Sequence, residues 1–451
     1  MPAANNGSRR RANYPTKVAL AFALVIIAAA LLLQLPQMTH GGEIHFVDSL
    51  FTATSAVCVT GLTTVSLSER FSTAGQGFVL ALIQLGGLGI TVVSTFLLVL
   101  TGRATLSHTV EAEDRLSAMR VQPARLLFWV VLATLGTEAI GALCLARMFE
   151  GSDAGWQGAF HSVSAFCNAG FSTFRDNLID YRSNAGVNIV ICILIILGGI
   201  GFIAQYQVIW WIVTRLRGGR TRLFLHTRVV LAVNVTLWIV GAVIFGALES
   251  GGAMADMRGI DRILASCFHS VSARTAGFNT IDLAQWREPT LCFLMFFMFV
   301  GAAPGGAGGG IKVTTFAVIL ATVRARLLGR SSVSLFTRTV PQELVQRAFL
   351  VVSVSLLILL FAVGGLLLSE PPRAGQEGGY RLTELAFEAF SAFGTVGLST
   401  GITPSLTTTG KLIIIVLMYV GRIGPLAAAL AVLQPRNRPV YEYPEEPLAI
   451  G

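Results

Sequence analysis

Four segments of this chain end in nearly the same turn around one glycine: Ser55-Ala-Val-Cys-Val-Thr-Gly61-Leu, Ser164-Ala-Phe-Cys-Asn-Ala-Gly170-Phe, Ser272-Ala-Arg-Thr-Ala-Gly277-Phe and Ser391-Ala-Phe-Gly-Thr-Val-Gly397-Leu. Glycine adopts positive φ without steric cost, so a turn built on it can aim carbonyl oxygens at one point. A ring of such carbonyls is how a protein replaces the hydration shell of a potassium ion. Turns recurring roughly every 110 residues supply a whole ring if the chain winds around one axis. The chemistry indicated is the dehydration and coordination of a monovalent cation, with no covalent bond made or broken.

The residues before the turns, 44–57, 156–166, 260–272 and 382–393, read as helices of 11 to 14 residues. They are too short to cross a bilayer and suit pore helices that dip in and stop. A helix ending at the axis points its negative dipole end at the ion, which favours cations. Around them lie longer apolar runs, and eight spans are read at 17–36, 74–101, 126–148, 185–214, 229–249, 290–323 with a break, 347–369 and 410–434. A chain of 451 residues that is 53% hydrophobic and only 13% charged is a polytopic membrane protein, not a soluble multidomain enzyme. The expected fold class is all-α, with four tandem helix, pore-helix, filter and helix repeats around a pseudo-fourfold central pore. The repeats set the boundaries: 1–125 with a basic N terminus, 126–228, 229–346 with an intramembrane loop, and 347–451 with a C-terminal tail. Arg9, Arg10 and Arg11 precede the first run as they would in a signal peptide, but its length suits a retained helix.

The net charge of +9 is distributed by topology rather than as a nucleic-acid surface. Lys and Arg collect at the N terminus, in loops 102–125, 215–228 and 324–347 and in the C-terminal tail, whereas the opposite loops carry more Asp and Glu. Positive residues stay on the cytoplasmic side, so both termini are expected inside, in the plasma (inner) membrane, with the glycine turns facing outward. The acidic outer face would concentrate cations near the mouth, within the limits of screening. The six cysteines, at 58, 144, 167, 192, 267 and 292, lack Cys-x-x-Cys spacing and are expected to be core-packing thiols, without a disulfide framework or zinc site.

A second small-residue cluster follows each turn: Leu85-Gly-Gly-Leu-Gly89, Leu197-Gly-Gly-Ile-Gly201, Val300-Gly-Ala-Ala-Pro-Gly-Gly-Ala-Gly-Gly-Gly310 and Val420-Gly-Arg-Ile-Gly-Pro425. In the first two copies close helix packing is the expected role. The third cannot continue a helix, and irregular backbone is tolerated at membrane depth only against protein or a watery cavity. It is expected to be an intramembrane loop below the turns. Arg422 stands at similar depth, where an unpaired cation is costly, and a loop rich in carbonyls is its natural partner.

With these residues in view, the chain resembles the Trk/Ktr/HKT superfamily of cation transporters, and within it the bacterial KtrB-type potassium-translocating subunits. The matching motifs are Arg274-Thr-Ala-Gly-Phe-Asn-Thr280, Phe393-Gly-Thr-Val-Gly-Leu-Ser-Thr-Gly-Ile-Thr403, Ile83-Gln-Leu-Gly-Gly-Leu-Gly89, Gly309-Gly-Ile-Lys312 and the tail Tyr443-Pro-Glu-Glu-Pro-Leu-Ala-Ile-Gly451. The resemblance covers nearly the whole chain, and eight spans rather than ten favour the Ktr branch. It implies potassium uptake through a homodimer of pores, each chain paired with a cytosolic ring of nucleotide-binding regulatory subunits of the KtrA type. No such domain is read in this chain, and no cofactor is implied. Potassium is the transported ion, with sodium as activator or coupling ion. Carried over by position, the filter residues are Val59, Thr60, Gly61 and Leu62; Asn168, Ala169, Gly170 and Phe171; Thr275, Ala276, Gly277 and Phe278; and Thr395, Val396, Gly397 and Leu398. The gate would comprise Gly301, Pro304, Gly305, Gly306, Gly308, Gly309, Gly310, Lys312 and Arg422. Glycine in all four filter turns goes with potassium preference in the superfamily. One departure stands out: Ala303, Gly306 and Ala307 occupy positions where the family's loop carries hydroxyls.

Other residues have competing readings. Glu138, inside an apolar segment, is a functional candidate by default, yet bonding to a neighbouring helix explains it as well. His161 and His269 recur in one His-Ser-Val-Ser frame and look like repeat-equivalent pore-helix residues, without the spacing of metal ligands. Arg274 either bonds pore-helix carbonyls or hinders a second cation. The Gly305–Gly310 run looks at first like a phosphate-binding loop, but its lysine does not directly follow the last glycine and no strand precedes it. A secondary transporter of another small solute is the alternative function; it predicts two related halves, whereas four quarters are seen. An intramembrane hydrolase would need a nucleophile and base, and no Gly-x-Ser-x-Gly occurs.

Overall fold

The computed structural model describes residues 5–40, 42, 44–88, 123–370 and 379–425. Repeat one comprises α1 (Asn5–Leu33), the pore helix α2 (Phe46–Cys58) and α3 (Thr73–Gly87). Repeat two comprises α4 (Pro123–Ala146), α5 (Ala154–Phe166), α6 (Ala185–Gly199) and α7 (Phe202–Leu216). The third has α8 (Leu225–Leu248), α9 (Gly259–Ser272), α10 (Glu288–Phe299) and α11 (Val313–Leu327). The fourth has α12 (Gln342–Ser369), α13 (Leu382–Gly394) and α14 (Thr408–Ile423).

Local chemistry sets these starts and stops. Three of the outgoing helices open on the same polar cap: Ser72 Oγ accepts from Gly75 N at 3.2 Å, Asn184 Oδ1 from Val187 N at 3.1 Å, and Thr407 Oγ1 from Gly410 N at 3.1 Å. Each cap satisfies one of the amides that a helix start leaves without a partner. In α13 the Glu384 carboxylate reaches back to the amide of Arg381 at 3.0 Å, the acidic half of a capping box.

The four copies pack head to tail. Within each, the first helix lies on the short one: α1 on α2, α4 on α5, α8 on α9 and α12 on α13. Between copies, α3 packs on α5, α6 on α9, α10 on α13, and α14 returns to α2. The Lys411 to Asp48 ion pair, 2.8 Å long and largely buried, ties the last copy to the first. The main hydrophobic clusters sit across these seams: Phe387 and Val396 of the fourth copy pack with Leu294 and Phe297 of the third, and Phe268 and Phe278 of the third with Phe166 and Ile191 of the second. The outer faces stay apolar, with Phe128, Leu360 and Phe361 among the exposed side chains, as a protein solvated by lipid requires. Phe128–Ala146, Leu225–Leu248 and Gln342–Ser369 are each long and apolar enough to cross a bilayer. This is a helical membrane protein.

Three expectations are corrected. The span read as continuous from 185 to 214 is two helices, α6 and α7, bent by 105°. The bend falls at Gly201, whose φ of 84° leaves the helical region. The all-α class also needs one addition, a two-residue antiparallel hairpin pairing Ser334 with Thr339 and Leu335 with Arg338 inside the basic loop 324–347. Among the cysteines, Cys267 and Cys292 are exposed on apolar faces, so they are not core thiols. The break expected within 290–323 occupies residues 300–312, between α10 and α11. Gly89, the rest of the 74–101 span, most of loop 102–125, the end of the 410–434 span and the tail motif lie outside the described residues.

Candidate functional site

Each short helix is followed within three residues by a left-handed residue, and a second left-handed residue follows two positions later. Val59 (φ 57°), Asn168 (57°), Thr275 (74°) and Thr395 (48°) are each followed by a glycine, Gly61 (92°), Gly170 (68°), Gly277 (77°) and Gly397 (93°). Positive φ at β-branched Val59, Thr275 and Thr395 is a steric outlier that costs on the order of 1 to 3 kcal/mol and persists only where the surroundings dictate it. Backbone bonds supply part of that constraint. Thr60 N donates to Ser55 O at 2.8 Å, Ala169 N to Ser164 O at 2.7 Å, Ala276 N to Ser272 O at 3.0 Å and Val396 N to Ser391 O at 2.8 Å.

The glycines themselves face one another in sequence around a closed circuit. A Cβ on Gly61 would strike Ala169 O, one on Gly170 would come 2.7 Å from Ala276 O, one on Gly277 would strike Val396 O, and one on Gly397 would strike Thr60 O. Each glycine is thus covered by the carbonyl preceding the next copy's glycine, and the fourth is covered by the first. The oxygens of Thr60, Ala169, Ala276 and Val396 make up this circuit, and only a residue without a side chain fits beside them.

Behind the turns, the serine that begins every motif is fully buried and clamps its own turn. Ser55 Oγ accepts from Gly61 N at 3.0 Å and Ser391 Oγ from Gly397 N at 3.1 Å. Ser164 and Ser272 work the other way, donating to the carbonyls of Phe171 (2.8 Å) and Phe278 (2.5 Å). In three of the four copies the residue three positions before the serine braces the segment leaving the turn. His161 Nε2 meets Ser172 Oγ at 2.8 Å, and His269 Nε2 meets Thr280 Oγ1 at 3.4 Å. Glu388 accepts from Ser399 Oγ (2.6 Å), Thr400 N (3.1 Å) and Thr403 Oγ1 (2.6 Å). In the first copy the equivalent Thr52 bonds back to Asp48 O of its own helix at 2.9 Å. The motif serines and Glu388 carry no role in the sequence reading. Their signal was the recurrence of Ser at one register and of a polar residue three positions earlier.

Residues 300–312 form a loop that touches the second, third and fourth copies and is linked to the first through Arg422. Its neck closes where Gly301 N donates to Ile311 O at 2.8 Å and Ile311 N to Phe299 O at 3.2 Å. Ala303 N and Ala307 N donate to Gly199 O and Gly198 O, both at 3.1 Å, and Phe202 N donates to Gly305 O at 3.2 Å. The bend between α6 and α7 is therefore the seat of the loop, which is why the small residues there break a helix instead of merely packing one. Pro304 O lies 2.7 Å from where a Cβ of Gly201 would be. Gly309 N donates to Thr395 Oγ1 at 3.1 Å, and Gly308 sits against the Thr275 hydroxyl with no room for a side chain. Lys312 Nζ donates to Gly308 O at 2.7 Å. Arg422 bridges from the fourth copy, one arm donating to Ala307 O and the other to Gly86 O of α3. The carbonyl partner expected for Arg422 is thus present. Arg274 makes its bonds to Val300 O (3.4 Å), Gly301 O (2.7 Å) and Asn234 Oδ1 (2.5 Å), so its carbonyls belong to the loop neck and not to the pore helix.

Glu138 is buried and accepts from Gln84 Nε2 at 3.2 Å, while its backbone oxygen accepts from Ser162 Oγ at 2.7 Å. It stitches α4 to α3 and α5, the helix-bonding alternative of its two readings. Among the described residues no cluster of His, Cys, Asp and Glu suits a metal ion such as zinc.

The family comparison matches the description "Cation transport protein", TrkH, over residues 5–438. The chain belongs to the TrkH family of cation transport proteins. Its relatives include the potassium/sodium uptake protein NtpJ of Enterococcus hirae, 35% identical and covering 98% of each chain. The Ktr system potassium uptake protein B of Bacillus subtilis is 37% identical over 91% of each chain, and that of Vibrio alginolyticus is 37% identical over 97% of this chain and 95% of its own. The crystal structure of the potassium transporter TrkH from Vibrio parahaemolyticus shares the fold, with a TM-score of 0.70 over 92% of this chain and 83% of that one, at 19% identity. This TrkH-family chain is a KtrB-type membrane transporter in cation uptake, and its named relatives are transporters rather than enzymes.

Proposed function

We propose that this TrkH-family chain takes up potassium across the plasma membrane through a selectivity filter made by its four glycine turns. The observation that carries the reading is the closed circuit in which each glycine meets the carbonyl of the next copy. Carbonyl oxygens held in one circuit by buried serines and braced strands replace a hydration shell at little reorganisation cost. The eight spans enclose a pseudo-fourfold pore, and both termini lie in the cytoplasm. Loop 300–312 closes the path beneath the filter, with Arg422 and Lys312 as its side-chain locks and backbone amides in place of the family's hydroxyls. The chain works as a homodimer on a cytosolic nucleotide-binding ring. Two relatives are named as protein B of a Ktr system, which supports a multi-component assembly. The basic loops 215–228 and 324–347 offer the contact surface. Sodium acts as activator or coupling ion, in keeping with the potassium/sodium name of the Enterococcus relative. The test is growth of a potassium-uptake-deficient bacterium at low potassium with the regulator supplied. Restored growth is expected, and none despite membrane expression would contradict the proposal.

A further inference from the structure

We infer that Arg274 is a positioning residue that couples the third filter turn to the neck of the loop, so that loop position and ion selectivity change together. The inference rests on the potassium-uptake reading above and concerns a residue which that reading leaves without a role.

Arg274 follows the C-terminal end of α9 and directly precedes Thr275, the left-handed residue of its turn. Its backbone is thereby part of the filter support, with its N–H donating to Val271 O at 3.2 Å. Its side chain bonds outside the filter turn. The guanidinium, almost completely buried, donates to Val300 O and Gly301 O, the two carbonyls at which α10 gives way to the loop. A third bond, to Asn234 Oδ1 on α8, holds the guanidinium plane in place. Val300 and Gly301 are also where the neck is clasped, through Gly301 N to Ile311 O. Moving the neck therefore pulls on Arg274, and the pull reaches Thr275 one residue away.

The next residue makes a second contact of the same kind. Thr275 Oγ1 lies where a Cβ of Gly308 would be, so adjacent side chains of one turn touch both limbs of the loop. Arg422 is connected differently. It bonds Ala307 O near the tip and Gly86 O on α3, and neither is a residue of a filter turn. The two arginines divide the loop: Arg422 holds its tip closed, while Arg274 joins its neck to the ion site. A planar fork with five donors suits three diverging acceptors, which a lysine ammonium on a flexible stem cannot hold in one geometry.

The experiment compares purified wild-type protein with R274Q, R274K, N234A and R422A in liposomes without the regulatory partner. It reads rubidium flux and the rubidium-to-sodium flux ratio. R274Q is expected to raise flux and to lower the ratio about tenfold, with R274K intermediate. R422A is expected to raise flux with its ratio unchanged. N234A removes one of the three bonds and leaves the guanidinium in place; it should lower the ratio about threefold, and it serves as the deciding variant if R274Q does not fold. A wild-type ratio in R274Q, or in N234A where R274Q is lost, overturns the coupling. No rubidium flux in the wild-type protein overturns the potassium reading beneath it, so the two failures are told apart.

Discussion

Gly61 combines a φ of 92° with the carbonyl of Ala169 placed where its side chain would be. Gly61→Ser is therefore strained twice, by its backbone and by contact, and the oxygen it displaces belongs to the ion circuit. The expected outcome is a loss of potassium over sodium discrimination of about tenfold, equivalent to about 1.4 kcal/mol between the ions, read as a flux ratio. An unchanged ratio would remove Gly61 from the filter. Glu388 behaves as a buried acceptor for three donors. Removing it in Glu388→Ala leaves those donors unsatisfied at about 1 to 3 kcal/mol each, so the variant should melt at a lower temperature in detergent, with Glu388→Gln losing less. Equal melting of both variants and the wild type would show that the brace contributes nothing. These residues also mark how far the sequence could be read. The glycine turns were legible because only glycine tolerates their site, whereas the left-handed backbone of Val59 and Thr395, named as filter positions only through the family resemblance, was not, since β-branched residues ordinarily avoid positive φ. Glu388 was hidden because its counterparts are histidines in two copies and Thr52 in the other, so only the register is shared.

Among elements, the pore helices fall within two residues of their sequence limits, as in 156–166 against Ala154–Phe166, because an abrupt cap and a polar start both leave marks in the sequence. The bend between α6 and α7 left none. Leu85-Gly-Gly-Leu-Gly89 and Leu197-Gly-Gly-Ile-Gly201 read alike. What breaks the second is a loop over 100 residues later, whose amides take Gly198 O and Gly199 O as acceptors and whose Gly305 O accepts from Phe202 N in return. Such a trade is tertiary and carries no local signal. It also decides what restoring the family's hydroxyl at position 306 should do. A Cβ on Gly306 would come 2.7 Å from Gly199 O, so Gly306→Ser should unseat the loop and raise partner-free flux instead of lowering it. Arg422→Ala should raise that flux about tenfold or more, since each lost bond from a charged group is worth about 1.5 to 3 kcal/mol. Liposome flux measured without the regulator checks both, and wild-type values in both variants would mean that the loop does not close the path.

At the scale of the whole molecule, the recurrence of the glycine turns was legible in their spacing, and in the structure α14 packs back onto α2. The sequence could not reveal which seams carry the core, because Phe297 and Phe387, far apart in the chain, meet only where α10 packs on α13. The proposed use of this circuit of near-equivalent turns is to surround an ion with carbonyls from every side. The most direct test of that claim is the flux of potassium, rubidium and sodium through the purified protein in liposomes under imposed gradients. The account predicts potassium and rubidium flux well above sodium flux, with discrimination abolished by a side chain at Gly61, Gly170, Gly277 or Gly397. Equal passage of sodium and potassium in the wild type, or discrimination that survives all four substitutions, would contradict it.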